Sequence, residues 1–289
     1  RGKRVGERTT ERWEEVEVPT CAAGNKAEEG LENRWSVSQK NFETMTAQQG
    51  RQRLGTVVVR EFEAADKDQV QLIFYEGLME MVPDTAFRGL RHHPKSLLLY
   101  AAATVICFVT TTCWWVIGLL PAVVLCGRYF YSRQVIHGYL EQAMNRDMGD
   151  IEGFYKNSPD ARLWVAVLEG KVVGIVAAVR HQTMGGAVEL QRMAVDRRWR
   201  QFGIGMALGR KVLEFAVTNK YSSVVLGTTA YSRAAHKLYQ RLGFRCVGVT
   251  NGYVTPGATS SLLQNLFYQV HHYHYSLNLQ NSKIQNGHH

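Results

Sequence analysis

The chain has 289 residues, 45% of them hydrophobic, and its 34 Lys and Arg outnumber 25 Asp and Glu for a formal net charge of +9. The basic residues are dispersed and no nucleic-acid module accompanies them, so an anionic cofactor, an anionic substrate and a membrane surface explain the charge better than nucleic acid does. Five cysteines, with no CxxC pair among them, argue against a disulfide framework or a zinc site and read as reduced thiols.

Residues 1–55 are polar and show neither a helical nor a strand period, so a disordered leader is expected there. Residues 56–90 read as a first strand and helix. Thr56 to Phe62 is β-branched, and Asp66 can cap a helix whose Val70, Ile73, Phe74 and Leu78 recur at helical spacing. From Leu97 to Gly127 no residue is charged. That run exceeds the roughly 20 apolar residues a spanning helix needs, and residues 97–127 therefore read as a membrane segment. As one straight helix it would reach about 45 Å, against a hydrocarbon core of about 30 Å. It must tilt, or break near Gly118 and Pro121 into a hairpin that enters and leaves by one face. Arg88, Arg91 and Lys95 precede it and Arg128 and Arg133 follow, so both flanks are basic; this favours the hairpin, with both flanks cytosolic.

Residues 134–277 read as the main domain. A helix is expected over Gln134 to Phe154, then a hairpin of Leu163 to Leu168 and Lys171 to Arg180 turning at Glu169-Gly170. A strand over Ala187 to Val195, a helix over Phe202 to Val217, a strand over Ser223 to Thr228 and a helix over Ser232 to Leu242 follow. Strands at Arg245 to Tyr253 and Leu266 to Tyr275 close the domain, and residues 278–289 form a polar, loose tail. The interleaving predicts an α/β fold, a mixed sheet flanked by helices, carrying a transmembrane or hairpin insertion.

The chemistry concentrates between Glu189 and Val217. Arg200-Gln201-Phe202-Gly203-Ile204-Gly205 fits [QR]xxGx[GA] at a strand-to-helix turn, where glycines allow close backbone approach and a helix N-terminus offers free N–H groups to a phosphate. Arg197, Arg198 and Arg200 add charge at the same mouth. A dinucleotide-binding GxGxxG would need glycine where Leu208 stands, and no GK[ST] ending marks a P-loop. A glycine-bearing turn packed without ligand is the plain alternative. Downstream, Ala235 to Phe244 reads AxxLYxxxGF, a helix ending at a glycine cap before a strand.

Together, RxxGxG and AxxLYxxxGF resemble motifs A and B of the GNAT acetyltransferases, and VVVREFEAADKDQV resembles that fold's first strand and helix. The long apolar insertion and ELQRMAV narrow the similarity to the camello-like N-acetyltransferases, the group that contains the cysteine S-conjugate enzymes. The resemblance covers residues 56–276. It implies the GNAT acyl-CoA N-acyltransferase fold, acetyl-CoA as acetyl donor, no metal, and a small-molecule amine acceptor: the α-amine of a cysteine S-conjugate, at an endoplasmic-reticulum membrane. Backbone N–H groups of Met193, Ala194 and Val195 would hold the pantetheine arm and thioester carbonyl. Arg200, Gln201, Phe202, Gly203, Ile204 and Gly205 would cover the pyrophosphate, and Ser232 joins the cofactor set.

The same resemblance makes Tyr239 the general acid for the departing thiolate and Glu189 the base, directly or through water. The alternatives are a core aromatic and a solvated or ion-paired strand carboxylate. Arg192 is a candidate to hold an acceptor's carboxylate by its fork, Arg180 less so. His181 and His271, His272 and His274 alternate along strands and cannot all converge on one metal. Acetylation of protein lysines and a non-catalytic CoA-binding scaffold on the membrane remain alternative readings, and oligomeric state is not legible.

Overall fold

The computed structural model describes residues 56–88, 94–112, 114–251 and 271–279. The leader (1–55), the end of the tail and the first part of the last expected strand lie outside the described residues. The first strand, β1 (Val58–Glu61), leads into α1 (Lys67–Met79), which buries Val70, Ile73 and Phe74 at the expected spacing. Asp66 stands at the cap position, but its carboxylate accepts from both ends of the Arg60 guanidinium (2.6 and 2.9 Å) and from the Glu63 backbone N–H (3.0 Å), not from α1.

The apolar run is two helices. The first, α2 (Pro94–Thr111), ends where Thr112 takes a left-handed φ of 51°, and α3 (Trp115–Ala143) follows. Among the described residues no helix is long and apolar enough to cross a membrane, so the spanning helix expected over 97–127 is not found. The break also falls earlier than Gly118 and Pro121, and Pro121 lies within α3. Its cause is local: the Thr110 and Thr111 hydroxyls bond back to the Ile106 and Cys107 carbonyls (3.0 and 2.6 Å), competing with the helical ladder just where β-branched residues cluster. The second half of α3 packs on the domain, burying Arg128, Ser132, Val135, Ile136 and Ala143 along one face.

Seven strands form one sheet in the order β1-β2-β3-β4-β5-β7-β6, with β2 (Ala161–Leu168), β3 (Lys171–Arg180), β4 (Ala187–Val195), β5 (Ser223–Thr229), β6 (Arg245–Asn251) and β7 (His271–Asn278). The β2–β3 turn has positive φ at both Glu169 (50°) and Gly170 (77°), the primed turn that matches strand twist. Only β4 and β5 are parallel, and they pair at three positions alone, Ala187 with Ser223, Val188 with Val224 and Glu189 with Val225. Beyond Glu189 the two strands part like a fork.

Helices cover both faces. On one, α4 (Ile204–Thr218) and α5 (Arg233–Arg241) pack over Trp164, Val188, Leu190, Val224 and Leu226. On the other, α1 and the end of α3 cover Leu163, Val165, Ile175 and Ala177. The two helices of the first face approach closely because α4 presents glycine: a Cβ on Gly205 would lie 3.2 Å from a Leu238 methyl, and one on Gly209 2.4 Å from a Leu242 methyl. The mixed sheet with flanking helices is thus the architecture the sequence predicted.

Candidate active site

The site is built where β4 ends. Asp196 accepts from the Arg198 backbone N–H (3.0 Å) and pairs with its guanidinium (2.7 Å), which holds the Asp196 carboxyl below its ordinary range. Arg200 donates through Nε to the Val195 carbonyl (3.0 Å) and pairs with Glu80 at the end of α1 (2.7 Å). Two of the three arginines expected at this mouth therefore already have internal partners. Gln201 and Gly203 both adopt left-handed backbone (φ 71° and 82°), and Ile204 opens α4. A left-handed turn leading into a 15-residue helix gathers N–H groups into a concavity suited to a pyrophosphate. Phe202 leans on Trp199 (6.3 Å between centroids). Gly203 supplies the turn, whereas Gly205 makes room for α5; the two glycines of the motif do different work.

Among the described residues, the carbonyls and N–H groups of β4 that face the fork gain no strand partner after Glu189. This free edge carries Met193, Ala194 and Val195 and fits an extended amide-bearing arm of the pantetheine kind. It is bent: Ile175 pairs with Ala194 and Ala177 with Gln191, so Arg192 and Met193 together oppose Val176, and Arg192 has a φ of 52°. A left-handed arginine costs of order 1–3 kcal/mol and persists only where its surroundings hold it. Here Asp147 does so. Arg192 Nε and Nη2 donate to its two carboxylate oxygens (2.9 and 2.7 Å), Nη1 donates to the Tyr139 hydroxyl, and the guanidinium lies over the Phe74 and Tyr139 rings. Tyr155 donates to the same carboxylate at 2.6 Å. Burial, and then the Asp147 charge, push the Tyr155 hydroxyl far above its usual range. The carboxylate in Arg192's fork is thus one from its own chain, which corrects the expectation that Arg192 is open to hold an acceptor; the pair shapes β4 instead.

Glu189 stands at the vertex of the fork, its carboxylate accepting from Gln191 (2.6 Å), and its charge contributes to raising the Tyr139 pKa after the larger effect of burial. Tyr239 is buried on α5 between Phe244 and Tyr275 (centroids at 6.0 and 6.1 Å), and burial raises its pKa to about 12. It belongs to the core under α4 and α5, whereas strand alternation turns Glu189 to the α1 and α3 side. Ser232 precedes α5, its N–H on the Thr229 carbonyl (3.3 Å), without capping through its side chain. His236 bridges the Tyr275 hydroxyl (2.8 Å) and the Thr229 carbonyl (3.0 Å), while burial, then His274, lowers His272 to about 4 and keeps it neutral. Arg180 pairs with Asp160 at 3.2 Å and His181 accepts from the Met184 N–H at 3.1 Å, both structural contacts.

Asp147, Tyr139, Tyr155 and Glu80 went unseen in the sequence. Asp147 sits in an ordinary-looking NRDMGD stretch, and nothing local signals that it will be buried beside a residue far along the chain.

The profile described as Acetyltransferase (GNAT) family matches residues 130–244. Over 223 residues the chain is 54% identical to a Homo sapiens protein named N-acetylaspartate synthetase, covering 77% of this chain and 74% of that one. The Danio rerio protein of the same name is 49% identical over 77% of this chain and 79% of its own. A Xenopus tropicalis protein named "Probable N-acetyltransferase camello" is 32% identical over 66% of this chain and 87% of its own. The chain belongs to the GNAT acetyltransferase family and is an N-acetyltransferase. Within the family, the camello-like resemblance is the more distant one, and the N-acetylaspartate synthetases stand nearer.

Breaking the Asp147–Arg192 pair tests the account of the bent edge. Asp147→Asn leaves a buried guanidinium without its counter-charge, a loss of about 3–5 kcal/mol. The unfolding midpoint should drop by at least about 5 °C, and turnover should fall with it. An unchanged midpoint would show that the pair does not hold the kink.

Proposed function

We propose that this enzyme transfers the acetyl group of acetyl-CoA to the α-amine of aspartate. The fork beside a left-handed turn and helix N-terminus carries the acetyl-transfer part of this reading; the name borne by relatives about half identical supports the acceptor. The cysteine S-conjugate acceptor implied by the camello-like resemblance rests on the more distant similarity and gives way.

In this reading, acetyl-CoA supplies an activated acyl group as a thioester. The turn at Gln201–Gly203 and the α4 N-terminus receive the pyrophosphate, and the free β4 edge aligns the arm so that the thioester lies in the fork. N–H groups about the bend, near Met193, polarise its carbonyl, where negative charge grows as the amine adds. Glu189 takes the ammonium's proton, directly or through one water, and releases a nucleophilic amine. Tyr239 gives its proton to the thiolate as the C–S bond breaks. Its pKa of about 12 keeps it a neutral donor throughout the working range. Because the folded value exceeds the ordinary value of 10.0, the stability gained from burying the neutral phenol is complete below that pH and is lost as pH rises through about 12.

The hairpin of α2 and α3 exposes Val105, Ile106, Val109, Leu119 and Val123, with Trp114 and Trp115 at its bend 78% and 83% exposed. So large an apolar surface calls for cover. We infer that the hairpin dips into one leaflet of the endoplasmic-reticulum membrane, entering and leaving on the cytosolic side, which requires no helix that crosses.

Release of free CoA by the detergent-solubilised protein, with aspartate, S-benzyl-cysteine and a lysine peptide compared, tests the acceptor. Aspartate should be preferred; selective turnover of either rival overturns the reading. Tyr239→Phe keeps the packing and should lower kcat by about 100-fold or more, and Glu189→Gln should lower turnover mainly below the optimum pH. Unaltered kcat in the first, or an unaltered pH profile in the second, removes that residue's role. For the hairpin, flotation with phosphatidylcholine vesicles should weaken when Trp114 and Trp115 are both replaced by Ser; undiminished flotation would exclude the hairpin bend as the contact.

A further inference from the structure

Arg128 is a buried cation with no counter-charge among the described residues. Its side chain is among the largest fully enclosed ones, at 2% exposure, and its Nε donates to the Ala86 carbonyl at 2.9 Å. Among the described residues no carboxylate lies within ion-pair distance of it, and no other acceptor meets its fork. A guanidinium does not shed its proton on burial, so enclosing one without an anion is costly. Arg192, the arginine enclosed beside the bend of β4, is treated differently: it has Asp147. Bracing α3 does not explain Arg128 either. One turn along the same face Ser132 donates to the Val82 carbonyl at 3.1 Å, tying the helix to the same segment without a charge.

Its position matters. Arg128 reaches from α3 to the Val82–Ala86 segment, and its charge opposes the upward shift that burial imposes on the Tyr231 phenol in the turn after β5. This turn ends the β5 arm of the fork. On β5 itself, the Thr229 hydroxyl is buried and has no hydrogen-bond partner among the described residues. Val224 and Leu226 of β5 point into the α4 and α5 core, so alternation turns Thr229 to the opposite side, the one that α1 and the end of α3 cover.

We propose that Arg128, assisted by the Thr229 hydroxyl, binds a carboxylate of the acceptor and so selects acidic over neutral amines. This rests on the acetyl-transfer reading above and sharpens it by naming the group that reads the acceptor's charge. The guanidinium offers paired N–H donors to the two carboxylate oxygens, and the hydroxyl adds a third. The carboxylate supplies the counter-charge that no described residue provides at this place. No bond is made or broken here; the interaction positions the acceptor so that its amine lies towards the fork.

The test uses the whole detergent-solubilised enzyme and two readouts. First, succinate, a dicarboxylate with no amine to acetylate, should raise the melting midpoint of the wild type but not of Arg128→Met. Second, kcat/KM for aspartate should fall at least about 30-fold in Arg128→Met, while that for the neutral diamide of aspartate stays within about threefold. Arg128→Lys, which keeps the charge but loses the fork, should fall less, and Thr229→Val should lose several-fold on aspartate alone. Ser132→Ala removes a brace without touching the fork and should leave the ratio of aspartate to diamide as in the wild type. Retained acetyl-CoA binding certifies that each variant is folded. Equal losses on aspartate and diamide, or a succinate shift that is the same in wild type and Arg128→Met or absent from both, overturns the proposal. Succinate protection that depends on Arg128 in an enzyme that ignores aspartate would instead retain Arg128 as the carboxylate site and discard aspartate as the acceptor.

Discussion

The arrangement depends on one event in the sheet, the end of pairing between β4 and β5 after Glu189 and Val225. Two parallel strands with free edges would ordinarily continue to pair, since each unpaired N–H and C=O that is buried costs free energy. What keeps them apart is the bend in β4. Arg192 is held in a left-handed conformation by a bidentate bond to Asp147, and the strand beyond it is turned towards β3. The strain in that one residue is of order 1–3 kcal/mol, whereas breaking a buried ion pair costs about 3–5 kcal/mol. The bend is therefore the lower-energy solution, and the exposed edge it creates is the surface on which an extended donor can lie. A charge buried for its own sake would be a poor stabiliser; here it sets a backbone shape.

The same bend explains why α3 is so long. Its outer half, up to Gly127, is uncharged and faces outwards at many positions, while from Arg128 onwards its inner face is enclosed by the domain. Tyr139, three turns further along, touches Arg192, and Asp147 follows just after the helix ends. One helix thus connects the apolar hairpin, Arg128 and the network that shapes the free edge of β4. In the proposed setting the membrane-facing element and the acceptor-facing element are parts of a single helix, so their relative orientation is constant. Arg128 marks the change from one environment to the other.

Much of this was legible beforehand because it rests on local rules. The β2–β3 hairpin announced itself through Glu169-Gly170, α1 through the spacing of Val70, Ile73 and Phe74, and the phosphate turn through glycines placed just before a helix. Strand β4 was read at its observed limits. Apolar length does not specify a continuous helix. The run from Leu97 to Gly127 has the composition of a span, yet three consecutive threonines end its first helix at Thr112. Side-chain partners were the other blind spot. Arg192 looked like a free fork because its partner is 45 residues away and on a different element. Nothing in the sequence distinguishes Arg128, expected only to flank a membrane segment, from Arg133 five residues on, although one is enclosed and the other exposed. Pattern reveals which face a residue occupies; whether a charge there is already matched is a property of the assembled fold.

Tyr239 and Glu189 occupy opposite faces of the sheet, which at first sight separates two groups assigned to one reaction. The fork removes the difficulty, because only there does the sheet cease to be a wall. The division also suits their chemistry. A base must hold a charge until it meets the ammonium, and Glu189 sits on the half-open side, beside Gln191 and within the field of the Tyr139 and Arg192 network. An acid for a thiolate must keep its proton until the last step, and the dry core beneath α5 raises the Tyr239 pKa by burial alone. Were both groups on one face, they would share one dielectric environment. Desolvation strong enough to hold the phenol's proton would also favour the protonated carboxyl, disabling the base. In the proposed mechanism, a split sheet keeps the buried phenol apart from the carboxylate, so that an acid and a base on opposite faces would serve one reaction through a single break in strand pairing.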